Sequence, residues 1–179
     1  IRELDDAGTF TGYASTFGNK FTIWQGLNET VRKGAFAKTL AENGGQVPIL
    51  HNHESSEQIG WGISASEDNK GLLVEAHLDI VDNPRARSQW ALMRMAKELA
   101  KAKMGLSIGF FVQDEEIQKK KDEPDLRILK EVQLIEYSVT PFPANPKAGV
   151  IGVRNIGDLI GSVDQLSAEE RTLLLAKLR

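Results

Sequence analysis

Short apolar segments, each ended by turn residues, run through most of this 179-residue chain and limit what it can fold into. Their alternation of apolar and polar residues is typical of half-buried strands, and the intervening Gly, Asn, Asp and Pro residues mark turns. About seven strands are predicted, at residues 9–17, 21–24, 46–52, 58–65, 71–80, 106–112 and 127–140. Because few helical segments alternate with them, a barrel-like or mainly β, α+β domain is favoured over a βαβ layer.

Two or three helices are predicted beside these strands. Residues 31–41 change to a helical period before Gly44-Gly45, and Pro84 opens a helix expected to run to about Lys103. Ser167 and Glu170 form a capping-box pattern before an apolar run. We therefore expect a domain over residues 1–155, and a linker with an amphipathic helix over residues 156–179.

Composition excludes several classes of function. The formal net charge of −3 gives no broad electrostatic case for binding nucleic acid, and no apolar run approaches the roughly 18 residues that span a membrane. The chain has no cysteine, which rules out disulfides, thiolate catalysis and cysteine-based zinc sites.

The segment Met104-Gly-Leu-Ser-Ile-Gly-Phe-Phe111 contains a Gly-x-Ser-x-Gly match to the nucleophile elbow of α/β-hydrolases. That fold places its histidine after the serine, whereas all three histidines here, His51, His53 and His77, precede Ser107. The elbow also needs a helix after the serine, but the residues that follow continue a β-type apolar run. Ser107 is therefore either a nucleophile on a strand, with room for a peptide beside its glycines, or a packed strand serine.

His51 and His53 lie two residues apart at the end of a predicted strand, a spacing that puts both side chains on one face. They could hold a metal together with Glu54 or His77, supply one catalytic base, or be ordinary polar residues. His77 alternates with Glu75 and Asp79, which indicates a surface or partner-facing position.

Carboxylates that could orient a histidine occur in the predicted strand 127–140. Glu136 lies inside an otherwise apolar stretch, where a carboxylate is costly unless it is paired or hydrogen-bonded. It could accept a hydrogen bond from an imidazole and stabilise the imidazolium. Glu131 is the alternative acid, although its neighbour Lys130 indicates an exposed strand start.

Taken together, segments over residues 12–150 resemble the prohead, or capsid-maturation, proteases of tailed bacteriophages. Each segment is short, but six or more in the same order are specific. They are Gly12-Tyr-Ala-Ser-Thr-Phe17, Arg32-Lys-Gly-Ala-Phe36, Pro48-Ile-Leu-His-Asn-His-Glu54 with Ile59-Gly60, Gly71-Leu72, Leu106-Ser-Ile-Gly-Phe110, and Leu134-Ile-Glu-Tyr-Ser-Val-Thr-Pro-Phe-Pro-Ala-Asn-Pro146.

The resemblance implies a fold similar to the herpesvirus assembly proteases, a small closed or nearly closed β-barrel with surrounding helices. It implies that Ser107 is the nucleophile, that His53 rather than His51 is the base, and that Glu136 is the third member. Herpesvirus relatives use a second histidine there, which this chain lacks after residue 77. Oxyanion donors are usually backbone N–H groups, and the 141–146 segment is one place to look for them.

The resemblance implies a serine endopeptidase without metal or cofactor, packaged inside the procapsid in the host cytoplasm. Its partners would be the major capsid protein with its scaffolding segment and, through self-association, further copies of this chain. The alternatives are a metal-dependent hydrolase using His51 and His53, and a catalytically silent capsid-assembly or scaffold protein. A generic esterase is disfavoured by the histidine order.

Overall fold

Nine strands and two helices follow one another in the computed structural model, which describes residues 8–24, 26–99, 102–153 and 167. The strands are β1 (Thr9–Thr16), β2 (Phe21–Trp24), β3 (Leu27–Val31), β4 (Pro48–His51), β5 (Gln58–Glu67), β6 (Gly71–Leu78), β7 (Gly105–Gln118), β8 (Asp125–Thr140) and β9 (Gly149–Val153). The helices are α1 (Ala37–Asn43) and α2 (Pro84–Glu98).

All nine strands belong to one sheet, in the hydrogen-bonded order β2-β3-β8-β4-β5-β6-β1-β9, with β7 on β8 as well. The 16-residue β8 connects the parts of the sheet, because β3 and β4 pair parallel with it at different points. β7 pairs antiparallel with almost its whole length. The mainly β prediction is confirmed, and the sheet curls into a half-barrel of nine strands instead of a barrel of about seven.

Side chains from most strands and both helices form one hydrophobic core under the curled sheet. Its largest fully buried members include Phe10, Phe36, Ile49, Leu106 and Tyr137. The hydroxyl of Tyr137 donates to the carbonyl of Gly45 at 2.8 Å, so its polar end is satisfied inside the core. On the opposite face of β7 and β8, strand alternation leaves the side chains that form the candidate site.

The helix boundaries follow from local signals. The Asn83 side chain caps α2 by accepting from the backbone N–H groups of Arg85 and Ala86, and Pro84 occupies the first turn. α1 ends at Gly44, whose φ of 62° is left-handed. The prediction that α2 reaches Lys103 is wrong, because Leu99 is already extended and the Met104 carbonyl accepts from Val150 in β9.

Three features of the sheet differ from the prediction. β3 and β9 were not predicted, and β7 continues to Gln118 where a charged loop was expected. Cross-strand ion pairs stabilise that charged end, with Asp114 and Glu115 of β7 meeting Lys130 and Arg127 of β8 at 3.1 and 2.6 Å. The predicted C-terminal helix and linker lie outside the described residues, apart from Ser167. No helix in the described ranges is long and apolar enough to cross a membrane.

Candidate active site

His53 and Glu136 form the closest pair in the candidate site, with His53 Nδ1 2.6 Å from Glu136 Oε1. Because an ionised carboxylate can only accept a hydrogen bond, Nδ1 carries the proton and donates it. The other ring nitrogen, Nε2, then keeps its lone pair and is available as a base. This is the orientation that a catalytic histidine needs from its acid partner.

A strained turn carries His53 to this position. β4 ends at His51, and both Asn52 and His53 have left-handed backbones, with φ values of 51° and 63°. Such conformations are uncommon for residues other than glycine and persist only where surrounding contacts hold them. The backbone N–H of His53 donates to Ser138 Oγ at 2.9 Å, which ties the turn to β8.

Glu136 is buried on β8 and is held on both sides. Its Oε1 accepts from His53, and its Oε2 accepts from the Ser138 hydroxyl at 2.7 Å. Ser138 therefore bonds both His53 and Glu136. The sequence prediction missed Ser138, although its position two residues after Glu136 on the same strand face was a signal that could have found it.

The carboxylate of Glu136 also lies directly over Gly109, which is its cross-strand neighbour on β7. A Cβ added to Gly109 would lie 2.9 Å from Cγ of Glu136 and closer still to its Oε1, a distance that real Cβ contacts do not show. Glycine at this position therefore gives the carboxylate the space from which it reaches His53.

Replacing Gly109 with alanine should displace the Glu136 carboxylate and break its hydrogen bond to His53. We expect proteolytic activity to fall about 10²-fold, since small displacements of a catalytic group have effects of that size. The measurement is the cleavage rate of purified variants, with Gln113→Ala at an exposed position of the same strand as control. An unimpaired Gly109→Ala variant would contradict the role given to this contact.

Ser107 lies on the same face of the sheet as this pair. It is directly opposite Ser138 in the β7–β8 register and two residues before Gly109, and its side chain is largely buried. Among the described residues, no hydrogen bond joins its hydroxyl to His53. Nucleophile–base contacts are often loose without substrate and tighten when it binds.

His51 points to a different environment from His53. Its Nδ1 lies 3.1 Å from Gln89 Oε1 on α2, and its Nε2 lies 3.0 Å from Asn52 Nδ2. A neutral ring that donates from Nδ1 and accepts at Nε2 satisfies both partners. The expectation that His51 and His53 share one strand face is wrong, because the left-handed turn begins directly after His51. In the part of the chain that the structure describes, no group of three metal-binding side chains is found.

The remaining polar candidates lie elsewhere. His77 lies on β6, with its Nδ1 3.1 Å from Thr9 Oγ1. Glu131 lies on an exposed part of β8, where its Oε1 is 3.2 Å from Lys38 Nζ. The 141–146 segment packs over the start of β7, where Pro143 lies against Gly105. Two of its residues, Ala144 and Asn145, line the same small cavity as Ser107.

The environment favours the charged form of His53. The hydrogen bond to Glu136 raises the pKa of His53 above its usual value, burial opposes this by lowering it, and the charge of Glu136 raises it further. The net direction is upward, so the imidazolium that forms during acid–base catalysis is stabilised by its carboxylate partner.

Comparisons with known proteins bear on the identity of this arrangement. A family model described as "Caudovirus prohead serine protease" matches residues 1–159. The prohead protease of Enterobacteria phage HK97 is 32% identical over 155 residues, which are 83% of this chain and 61% of that protein. The chain thus spans somewhat less than two thirds of the length of this curated relative.

Two solved structures are similar at lower sequence identity. KSHV protease in complex with a hexapeptide phosphonate inhibitor has a TM-score of 0.45 at 11% identity, covering 95% of this chain and 75% of that one. Varicella-zoster virus protease has a TM-score of 0.46 at 13% identity, covering 94% and 74%. The family model, which matches most of the chain, decides the assignment. The chain belongs to the caudovirus prohead serine protease family.

Proposed function

We propose that this chain is a prohead maturation endopeptidase that cleaves the scaffold, or the scaffolding segment of the major capsid protein, by serine acyl transfer. The observation that carries the proposal is the His53–Glu136 pair at 2.6 Å on the same sheet face as Ser107. Family membership supports the protease activity. Self-cleavage and action inside the procapsid are part of the same proposal.

In the proposed mechanism, His53 Nε2 takes the proton of the Ser107 hydroxyl while Oγ attacks the scissile carbonyl carbon. The imidazolium then gives this proton to the leaving amine as the C–N bond breaks, which leaves an acyl ester on Ser107. His53 next deprotonates a water molecule that attacks the ester, and Ser107 regains its proton on release of the acid. Glu136 holds the ring orientation and stabilises the imidazolium in both halves.

Co-expression with the cognate capsid protein tests this function. We expect the capsid protein to be shortened at a defined site, as seen by gel and intact-mass spectrometry, and we expect the cleavage to resist a chelator such as EDTA. Cleavage abolished by EDTA and restored by a divalent metal would support the metal-dependent alternative. Unprocessed capsid protein in assembled proheads would instead support the silent assembly protein.

Replacing Glu136 with glutamine should lower the pKa of His53, because both influences that raise it come from that carboxylate. The base is active only when neutral, so the acidic limb of the rate profile should move to lower pH. The maximal rate should fall by about 10²–10⁴-fold, since the ring loses its orienting partner. NMR titration of the His53 ring measures the pKa directly.

Glu131→Gln is the matched control for this titration, because Glu131 is on the same strand but pairs with Lys38. It should leave the titration of His53 unchanged.

The raised pKa of His53 also makes the stability of the fold depend on pH. The raised pKa makes the pair stabilise the fold below the unfolded-state value of about 6.5, and this contribution is lost as pH rises through the raised value. A His53 pKa that does not fall in Glu136→Gln would contradict the pairing.

A further inference from the structure

A small cavity lies beside Ser107, between β1, β3 and β7, with a volume of about 40 Å³. We call it the Glu29 pocket. Its apolar walls are the side chains of Ala14, Phe21, Val31, Ile108 and Phe110. Ser107, the proposed nucleophile, lines one side of it, so the pocket lies where a side chain of a bound peptide would sit beside the carbonyl that Ser107 attacks.

Glu29 gives this pocket a charged wall. Its side chain is 7% exposed, so it is more than nine-tenths buried. Arg127 Nη1 donates to Glu29 Oε2 at 3.3 Å. Glu29 Oε1 has no hydrogen-bond partner among the described residues. Among the described residues, Thr30 Oγ1 is the only fully buried side-chain polar atom without a partner, so Glu29 Oε1 keeps some exposed surface. A cationic or hydrogen-bonding group of a substrate can therefore reach this oxygen.

Arg127 does not fully compensate this charge. Its Nε lies 2.6 Å from Glu115, a shorter contact than the 3.3 Å to Glu29, so one guanidinium serves two carboxylates. The three groups together carry a formal charge of −1. Burial raises the pKa of Glu29 while Arg127 lowers it, which is the behaviour of an incompletely paired carboxyl group.

Asn145 of the 141–146 segment also lines the pocket, but its side chain already has hydrogen-bond partners. Asn145 Oδ1 accepts from Asn19 Nδ2 at 2.9 Å and from the backbone N–H of Lys147, and its Nδ2 donates to Thr16. Ser15 also lines the pocket but carries no charge, so Glu29 is the group that can give the pocket a preference for a charged side chain.

Building on the proposed function, we propose that the Glu29 pocket receives the side chain of the substrate residue whose carbonyl carbon Ser107 attacks, and that it selects a lysine there. The apolar walls fit the methylene stem, and the ammonium group reaches the unpartnered oxygen of Glu29. A volume of about 40 Å³ holds about three water-sized groups, which suits the tip of an unbranched side chain better than an aromatic ring.

The test uses fluorogenic tetrapeptide amide libraries in which the residue before the scissile bond is lysine, norleucine or glutamate and the other positions are mixed. Norleucine keeps the stem of lysine and removes the charge. We expect the wild-type chain to cleave the lysine library about tenfold or more faster than the norleucine library, and the glutamate library least. In Glu29→Gln the lysine preference should disappear while norleucine cleavage persists.

Asp114→Asn is the matched control, because Asp114 lies beside Glu115 on β7 but pairs with Lys130 instead of Arg127 and does not line the pocket. It should keep the lysine preference. Equal cleavage of the lysine and norleucine libraries by the wild type would overturn the pocket assignment and leave the protease function standing, as would a lysine preference that survives in Glu29→Gln.

A binding measurement separates this inference from the proposed function. The Ser107→Ala chain should bind a lysine hexapeptide about tenfold more tightly than its norleucine counterpart by calorimetry, and Glu29→Gln should remove the difference. Selective binding with no cleavage of any library by the wild type would support the pocket and reject the protease function. Absence of selective binding would overturn the pocket.

Discussion

Replacing Ser107 with alanine is expected to reduce cleavage of the capsid protein by about 10⁴-fold or more, because the proposed acyl ester forms on the Ser107 hydroxyl. The substitution removes one hydroxyl from a β-strand and leaves its neighbours in place. The fold should therefore remain intact. The measurement is the rate of capsid-protein shortening by mass spectrometry, with thermal unfolding of the variant recorded in parallel.

Ser138→Ala is the informative comparison, since Ser138 faces Ser107 across the two strands and is also buried. This variant loses the hydrogen bonds to Glu136 and to the His53 backbone, which should cost about 1–3 kcal/mol of stability and lower the rate. It should still cleave, because the nucleophile remains. Substantial processing by a folded Ser107→Ala chain would refute the assignment of the nucleophile.

Replacing His53 with alanine should be nearly as severe, again about 10⁴-fold or more, because Ser107 then has no base. His51→Ala provides a matched pair, two residues earlier at the end of β4. His51 contacts Gln89 and Asn52 instead of Glu136, so its loss should cost about 1 kcal/mol of stability and leave most of the activity. Both rates are measured on the same capsid substrate.

The two histidine variants also decide between the competing mechanisms. A metal site would need both imidazoles, so the two substitutions would then be equally damaging and activity would depend on added metal. Equal loss in His51→Ala and His53→Ala would contradict the separate environments described for the two rings.

Much of the fold could be predicted because its elements carry local signals. The alternating strands, the Gly44 stop of α1 and the Pro84 start of α2 each depend on neighbouring residues only. β3 could not be predicted in this way, since it depends on parallel pairing with the distant β8. The charged end of β7 was missed for the same reason, because its stabilising partners lie across the hairpin.

In the candidate site too, features that depend on neighbouring residues could be predicted, whereas features that depend on distant residues could not. Glu136 could be singled out from sequence because a carboxylate inside an apolar strand needs a partner, and that partner is His53. Strand periodicity wrongly placed His51 and His53 on one face, since nothing local indicated left-handed backbones at Asn52 and His53. The choice of His53 rather than His51 as the base came from the resemblance to the family. The space over Gly109 and the double contact of Ser138 depend on the register of β7 and β8, which no single segment encodes.

We propose that Ser107 is a nucleophile activated by His53. Labelling with an alkyl fluorophosphonate, followed by digestion and mass spectrometry, tests it most directly, because the reagent forms a covalent bond only with an activated serine hydroxyl. We expect one adduct, on Ser107 in the wild-type chain, retained in His51→Ala and lost in His53→Ala. An adduct on another serine, or no adduct on a chain that still shortens the capsid protein, would contradict the account.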